Sequence, residues 1–159
     1  MPTLGLIACS KSKGRHASLA LLLYKGALFQ KSMALARRTH DAVAILSAKH
    51  GLVDLDETIA PYEMTLNNMP KADRQAWAAR TRAQILARYP GYDLIYYAGE
   101  NYCDGLPQGK QPMARMPLGV RLQWLDRQLK GKSDAQKDDR RPVRRVSCLS
   151  AAAGRSISK

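Results

Sequence analysis

Acidic residues are scarce in this chain: 13 Asp and Glu stand against 26 Lys and Arg, a formal net charge of +13. The excess is not confined to one end. Residues 1–130 hold 18 Lys and Arg against 10 Asp and Glu, a net of +8, and residues 131–159 hold 8 against 3, a net of +5. A body this basic points to a polyanion partner, of which nucleic acid is the commonest. Cysteine is sparse as well. Cys9, Cys103 and Cys148 have no paired or metal-type spacing, which argues against a disulfide scaffold and a cysteine zinc site. No metal and no cofactor is expected, and a reducing cytoplasm fits best. No apolar run approaches the roughly 20 residues that cross a bilayer. Met1–Ala8 is too short and uncharged for a signal peptide and reads as a first strand. Internal repeats and the Gly-x-x-x-x-Gly-Lys-Ser/Thr phosphate loop are also missing. With 159 residues, the chain is expected to form one domain with a substantial core.

What is present is an alternation of apolar runs and helical patterns. Thr3–Ala8, Ala42–Ser47 and Tyr92–Ala98 read as strands, the second as a parallel strand covered on both faces. Ser18–Arg38 reads as a helical region capped by Ser18 and divided at Gly26. A helix is predicted from about Met69 to Arg88, with Pro70 in its first turn and Asn67 or Asn68 as its cap. Gly119–Leu129 reads as a last amphipathic helix, and Met113–Met116 as a short edge strand. The expected fold is a three-layer α/β domain over residues 1–130 with a mostly parallel sheet of about four strands. Residues 131–159 read as a flexible basic tail.

Three polar turns follow the three strands, and right-handed crossovers carry them to one edge of the sheet. The first, Cys9-Ser10-Lys11-Ser12-Lys13-Gly14-Arg15, can cradle a phosphate through backbone N–H groups and charge. The second, Ser47-Ala48-Lys49-His50-Gly51-Leu52-Val53-Asp54, brings a serine, a lysine, a histidine, a glycine and an aspartate to one strand end. The third is Gly99-Glu100-Asn101-Tyr102. The aperiodic segment Leu52–Asn68 carries four of the ten acids of the body. Its acids read either as catalytic groups or as ion-pair partners that order the loop. Tyr24, Tyr62 and Tyr102 are candidates to stack on a base.

These motifs resemble an uncharacterised family of small phage and bacterial proteins. The resemblance rests on Ala8-Cys9-Ser10-Lys11-Ser12-Lys13, Leu-Tyr24-Lys-Gly26-x-Leu-Phe29, Ile-Leu-Ser47-Ala-Lys49-His50-Gly51-Leu and Ile-x-Pro61-Tyr62-x-x-Thr65-Leu66. Ala98-Gly99-x-x-Tyr102 and Pro117-Leu118-Gly119-x-x-Leu122-x-Trp124-Leu125 extend it over residues 3–129. That family is similar to the peroxide-stress YaaA proteins, which bind DNA. More distantly, the strand ends resemble the uracil-DNA glycosylase superfamily and the glycosylase-like domain of archaeosine synthases. This resemblance implies a nucleobase pocket at the carboxyl edge of the sheet, and at the family level a defence role against phage with modified DNA. The chain carries neither a Gly-Gln-Asp-Pro-Tyr motif after the first strand nor a His-Pro-Ser-Pro motif near the end.

The leading expectation is a DNA glycosylase-like hydrolase that excises a modified base. Breaking an N-glycosidic bond needs a carboxylate near the sugar and a donor near the base. Asp54 or Glu57 is the candidate carboxylate, and His50 or Lys49 the candidate donor. Cys9, Ser10, Lys11, Lys13, Ser47, Gly51 and Gly99 complete the candidate substrate and phosphate site. Tyr24, Tyr62 or Tyr102 would stack on a base that has left the duplex. Two alternatives stand beside it: a non-catalytic DNA-binding protein, and a nucleoside hydrolase or deoxyribosyltransferase. The partner in the first two is DNA or another nucleic acid, no membrane is involved, and the oligomeric state is open.

Overall fold

The computed structural model describes residues 2–136, the last five as backbone only. In chain order the elements are β1 (Thr3–Ala8), β2 (Ser18–Leu19), α1 (Ala20–Leu23), α2 (Ala27–Thr39), β3 (Ala42–Ser47), β4 (Gly51–Asp54) and β5 (Thr58–Ile59). A 3₁₀ turn at Leu66–Asn68 follows, then α3 (Lys71–Arg88), β6 (Asp93–Tyr97), α4 (Glu100–Cys103) and α5 (Leu118–Gln136). The molecule is an α/β protein with a four-stranded, mostly parallel sheet ordered β4-β3-β1-β6. β1 pairs in parallel with both β3 and β6, and β4 runs antiparallel to β3 at one edge. β2 and β5 form a separate two-stranded ribbon.

β1 lies at the centre because it is apolar on both faces: Leu4, Leu6 and Ile7 are fully buried. Each such side chain contributes about 1.5–3 kcal/mol by leaving water. Gly5 is the exception in the run, and its missing side chain has a reason. A Cβ there would lie 2.9 Å from the His40 ring and 3.1 Å from Ala36 Cβ, so α2 and its end press directly on the strand. The chain moves outward from β1 to β3 through α2, then back across β1 to β6 through α3. Right-handed crossovers in opposite directions put α2 and α3 on opposite faces, an arrangement compatible with three layers. α5 packs on α2. α3 buries Trp77, Ala78, Thr81 and Ile85, a stripe at helical spacing.

Several expectations are corrected. Ser18 does not cap a helix but starts the short strand β2, and Gly26 separates α1 from α2. Asn67 and Asn68 lie in the 3₁₀ turn, whose cap is Thr65, and Pro70 immediately precedes α3. The fourth strand is Gly51–Asp54, not Met113–Met116, which lies in turns. At that edge Lys110 instead bridges to Ile95. The last helix runs on to Gln136, seven residues past Leu129 and across the boundary drawn at 130. The rest of the expected tail, 137–159, lies outside the described residues.

Candidate functional site

The register places the ends of the three parallel strands level with one another. Ala8 pairs with Leu46, Ile7 with Tyr97, and the Cys9 N–H continues the ladder to the Leu46 carbonyl at 2.9 Å. The loops that follow therefore meet at one rim.

The loop after β1 is pinned along residues 23–25. Gly14 N–H donates to the Leu23 carbonyl, Lys25 N–H donates to the Ser12 carbonyl, and Lys13 bridges to Tyr24. Ser10 Oγ accepts from Gly26 N–H at 3.2 Å and donates to the Ser12 carbonyl at 2.6 Å. Gly26 is needed for this closeness, since a Cβ there would stand 2.9 Å from Ser10 Cβ. Of the expected backbone cradle, the Gly14 N–H is already bonded within the protein, and the loop also offers a ligand its charge. Lys11, Arg15 and Lys25 are exposed and Lys13 is half-buried. Among the described residues none of these four has a carboxylate within 4 Å. The sequence reading passed over Lys25, although it stands inside the Tyr24-Lys-Gly26 motif.

Ser47 holds the second turn. Its Oγ accepts from Lys49 N–H at 3.3 Å and His50 N–H at 3.0 Å. With both lone pairs engaged it has its proton left to give, so it donates to Tyr62 Oη at 2.7 Å, and Tyr62 donates to Tyr24 Oη at 2.7 Å. The Ser47 carbonyl accepts the Trp77 indole N–H at 2.8 Å, a contact not foreseen from the sequence. Gly51 closes the turn at φ +79°, and Leu52 N–H reaches Gln84 Oε1 of α3 at 2.9 Å. The turn is therefore the tip of a β3–β4 hairpin, fastened to α3.

The third loop joins the other two through Tyr102. Its phenol meets Cys9 Sγ at 3.3 Å, and its ring stands edge-on to Trp77 at 5.8 Å. Gly99 opens α4, and a side chain there would meet nothing within 4 Å. Lys13 Nζ lies 4.4 Å from the centre of the Tyr62 ring and 5.7 Å from that of Tyr24, close enough for cation–π attraction. The His50 ring stands edge-on to Tyr62 at 5.6 Å.

The tyrosines are buried, Tyr24 at 1 % exposure, so stacking on an incoming base is corrected to packing and hydrogen bonding. Burial pushes the Tyr24 phenol up to about 12 and raises Tyr62 and Tyr102 as well, so all three keep their protons at neutral pH. Desolvation, then the Lys49 charge, lowers the His50 pKa below 6.5 against a weaker pull from Glu57. The imidazole is neutral at pH 7.

Among the described residues Asp54 and Glu57 make no ion pair with His50, although the Glu57 charge still reaches it. Asp54 pairs with Ala44, three residues down the strand from Ser47. Arg88 Nη1 lies 3.6 Å from the Asp54 carboxylate and 3.5 Å from that of Glu57. Tyr89 donates to Asp54, and Glu57 accepts from Asp54 N–H. Burial raises the Asp54 pKa, opposed by Arg88. Of the two readings of the acidic loop, this geometry is the ion-pair one. Cys9, Ser10, Lys13, Tyr24, Ser47, Tyr62 and Tyr102 are linked at the rim, and Lys11, Lys49, His50, Gly51 and Gly99 lie on its loops.

Fold and site together define an α/β domain with a mostly parallel sheet and a cationic, tyrosine-backed rim at the carboxyl ends of its strands. Residues 4–127 match the model of a family of unknown function (DUF6884), and the chain belongs to that family. No curated protein and no solved structure matches it. No helix among the described residues is long and apolar enough to cross a membrane.

Proposed function

We propose that the protein binds DNA, gripping the phosphate backbone with the rim, and that it does so without carboxylate-assisted cleavage by Asp54 or Glu57. One observation carries this reading: Lys11, Lys13 and Arg15 stand on one pinned loop and Lys25 on the segment that pins it, with no carboxylate partner among the described residues. Each phosphate bound by such a cation releases condensed counterions, which drives association at low salt. A kinship of this family with the DNA-binding YaaA proteins, expected from the sequence motifs, would fit the same reading. The acids expected to work on a glycosidic bond are instead paired with Arg88, which disfavours the glycosylase reading in its original form.

The test is the salt dependence of DNA affinity. Replacement of Lys13 by Gln should lower the slope of log K against log salt by about 0.7–0.9, the share of one phosphate contact. An affinity indifferent to salt would overturn the proposal and favour a small-molecule enzyme. Incubation with hypermodified and plain DNA tests catalysis directly. Abasic sites would return the chain to the glycosylase reading, with Glu100, three residues past the carboxyl end of β6 at the head of α4, as the candidate acid.

A further inference from the structure

A groove of about 300 Å³ lies beside the rim, between α3 and the turn after α4. Lys71, Arg74, Gln75 and Arg82 line it from α3, facing Asn101 and Asp104. Positions 71, 74, 75, 78 and 82 fall on one side of a helix with 3.6 residues per turn. Three cations against the single acid Asp104 leave the lining at +2. No carboxylate among the described residues lies within 4 Å of Lys71, Arg74 or Arg82.

The groove is open and lined mostly by exposed side chains, over a close approach of two small residues. Its floor requires small residues: Gly105 has φ +85°, and a Cβ there would stand 2.9 Å from Ala78 Cβ. Its wall is fixed, because Asn101 Nδ2 donates to Asn67 Oδ1 at 2.8 Å. It also adjoins the rim. The residue after Asn101 is Tyr102, which touches Cys9, and Tyr102 packs edge-on against Trp77 of the same α3.

We infer that this groove is a second phosphodiester site, taking the stretch of DNA backbone that continues from the strand held at the rim. The inference rests on the DNA-binding reading and extends it along the molecule. Lys71 and Arg82 supply the charge to phosphate. Arg74 Nη1 is tied to the Met69 carbonyl at 3.0 Å and shapes the end of the groove. Gln75 and Asn101 are neutral donors suited to sugar and phosphate oxygens.

The test uses the full chain and fluorescence anisotropy with single-stranded DNA of about 20 nucleotides and of about three. A Lys71→Gln/Arg82→Gln variant removes two exposed cations, and an Arg37→Gln/Arg127→Gln variant on α2 and α5 is the charge-matched control. With the long strand, the affinity deficit of the groove variant should be about sevenfold larger at roughly 50 mM than at 200 mM salt, as two single-strand phosphate contacts require. With the three-nucleotide strand, too short to span both places, the groove and control variants should lose equally. A groove variant that matches the control on the long strand overturns this inference. If the chain as it stands binds the long strand and Lys13→Gln weakens that binding, the DNA-binding reading survives such a failure. If the chain binds neither strand, both fall.

Discussion

Replacing Ser47 by alanine tests how the rim is held together. The Ser47 side chain is fully buried, and its hydroxyl serves three partners: the N–H groups of Lys49 and His50 and the Tyr62 phenol. The substitution removes one oxygen, so it leaves almost no cavity, and the loss is one of hydrogen bonding. Each bond is worth about 0.5–1.5 kcal/mol net, and a buried group left without a partner costs more. The two N–H groups sit at a half-buried hairpin tip and recover part of their loss from water, whereas Tyr62 does not. The expected destabilisation is therefore about 2 kcal/mol by urea unfolding, or a fall in Tm of roughly 4–8 °C for a chain of this size. Tyr62→Phe removes the same Ser47–Tyr62 bond from the other side. The double variant should accordingly cost about 1 kcal/mol less than the sum of the two single changes. A Ser47→Ala cost below about 0.5 kcal/mol, or strict additivity with Tyr62→Phe, would refute the hydroxyl chain as a structural tie.

Two further outcomes follow from the hairpin. Gly51→Ala puts a side chain at φ +79° and into Gln84 Oε1, which must release Leu52 N–H; urea unfolding should show a loss of about 2–3 kcal/mol, smaller in a Gln84→Ala background. Unfolded His50 takes up its proton near 6.5 and folded His50 at lower pH, so between those values the unfolded state holds more protons and stability rises with pH. The stability of the natural chain should therefore fall as pH drops below 6.5, and His50→Gln should flatten that part of the profile; an NMR titration of His50 at or above 6.5 would contradict the burial argument.

The sequence by itself determined the three parallel strands, because Leu4–Ile7, Ala44–Leu46 and Leu94–Tyr97 are apolar runs whose burial needs no distant information. It also determined the break at Gly26 and the body of α3, where a helix-period stripe runs through Trp77, Thr81 and Ile85. It placed Cys9, Ser47 and Tyr102 at strand ends, and the connectivity brought those ends together. Only the tertiary structure decided that Gly51–Asp54 is a strand. The Ala48-Lys49-His50 turn has no Asn-Gly or Asp-Gly signal, and four residues are too few to show alternation. The pairing of Asp54 and Glu57 with Arg88, more than 30 positions away, is likewise a product of packing, and it turned two candidate catalytic acids into a brace. The tyrosines follow the same rule: their chemistry is legible in the sequence, but whether a ring faces a ligand or a neighbour depends on what the fold lays over it, and here Ser47, Lys13 and Trp77 occupy those places.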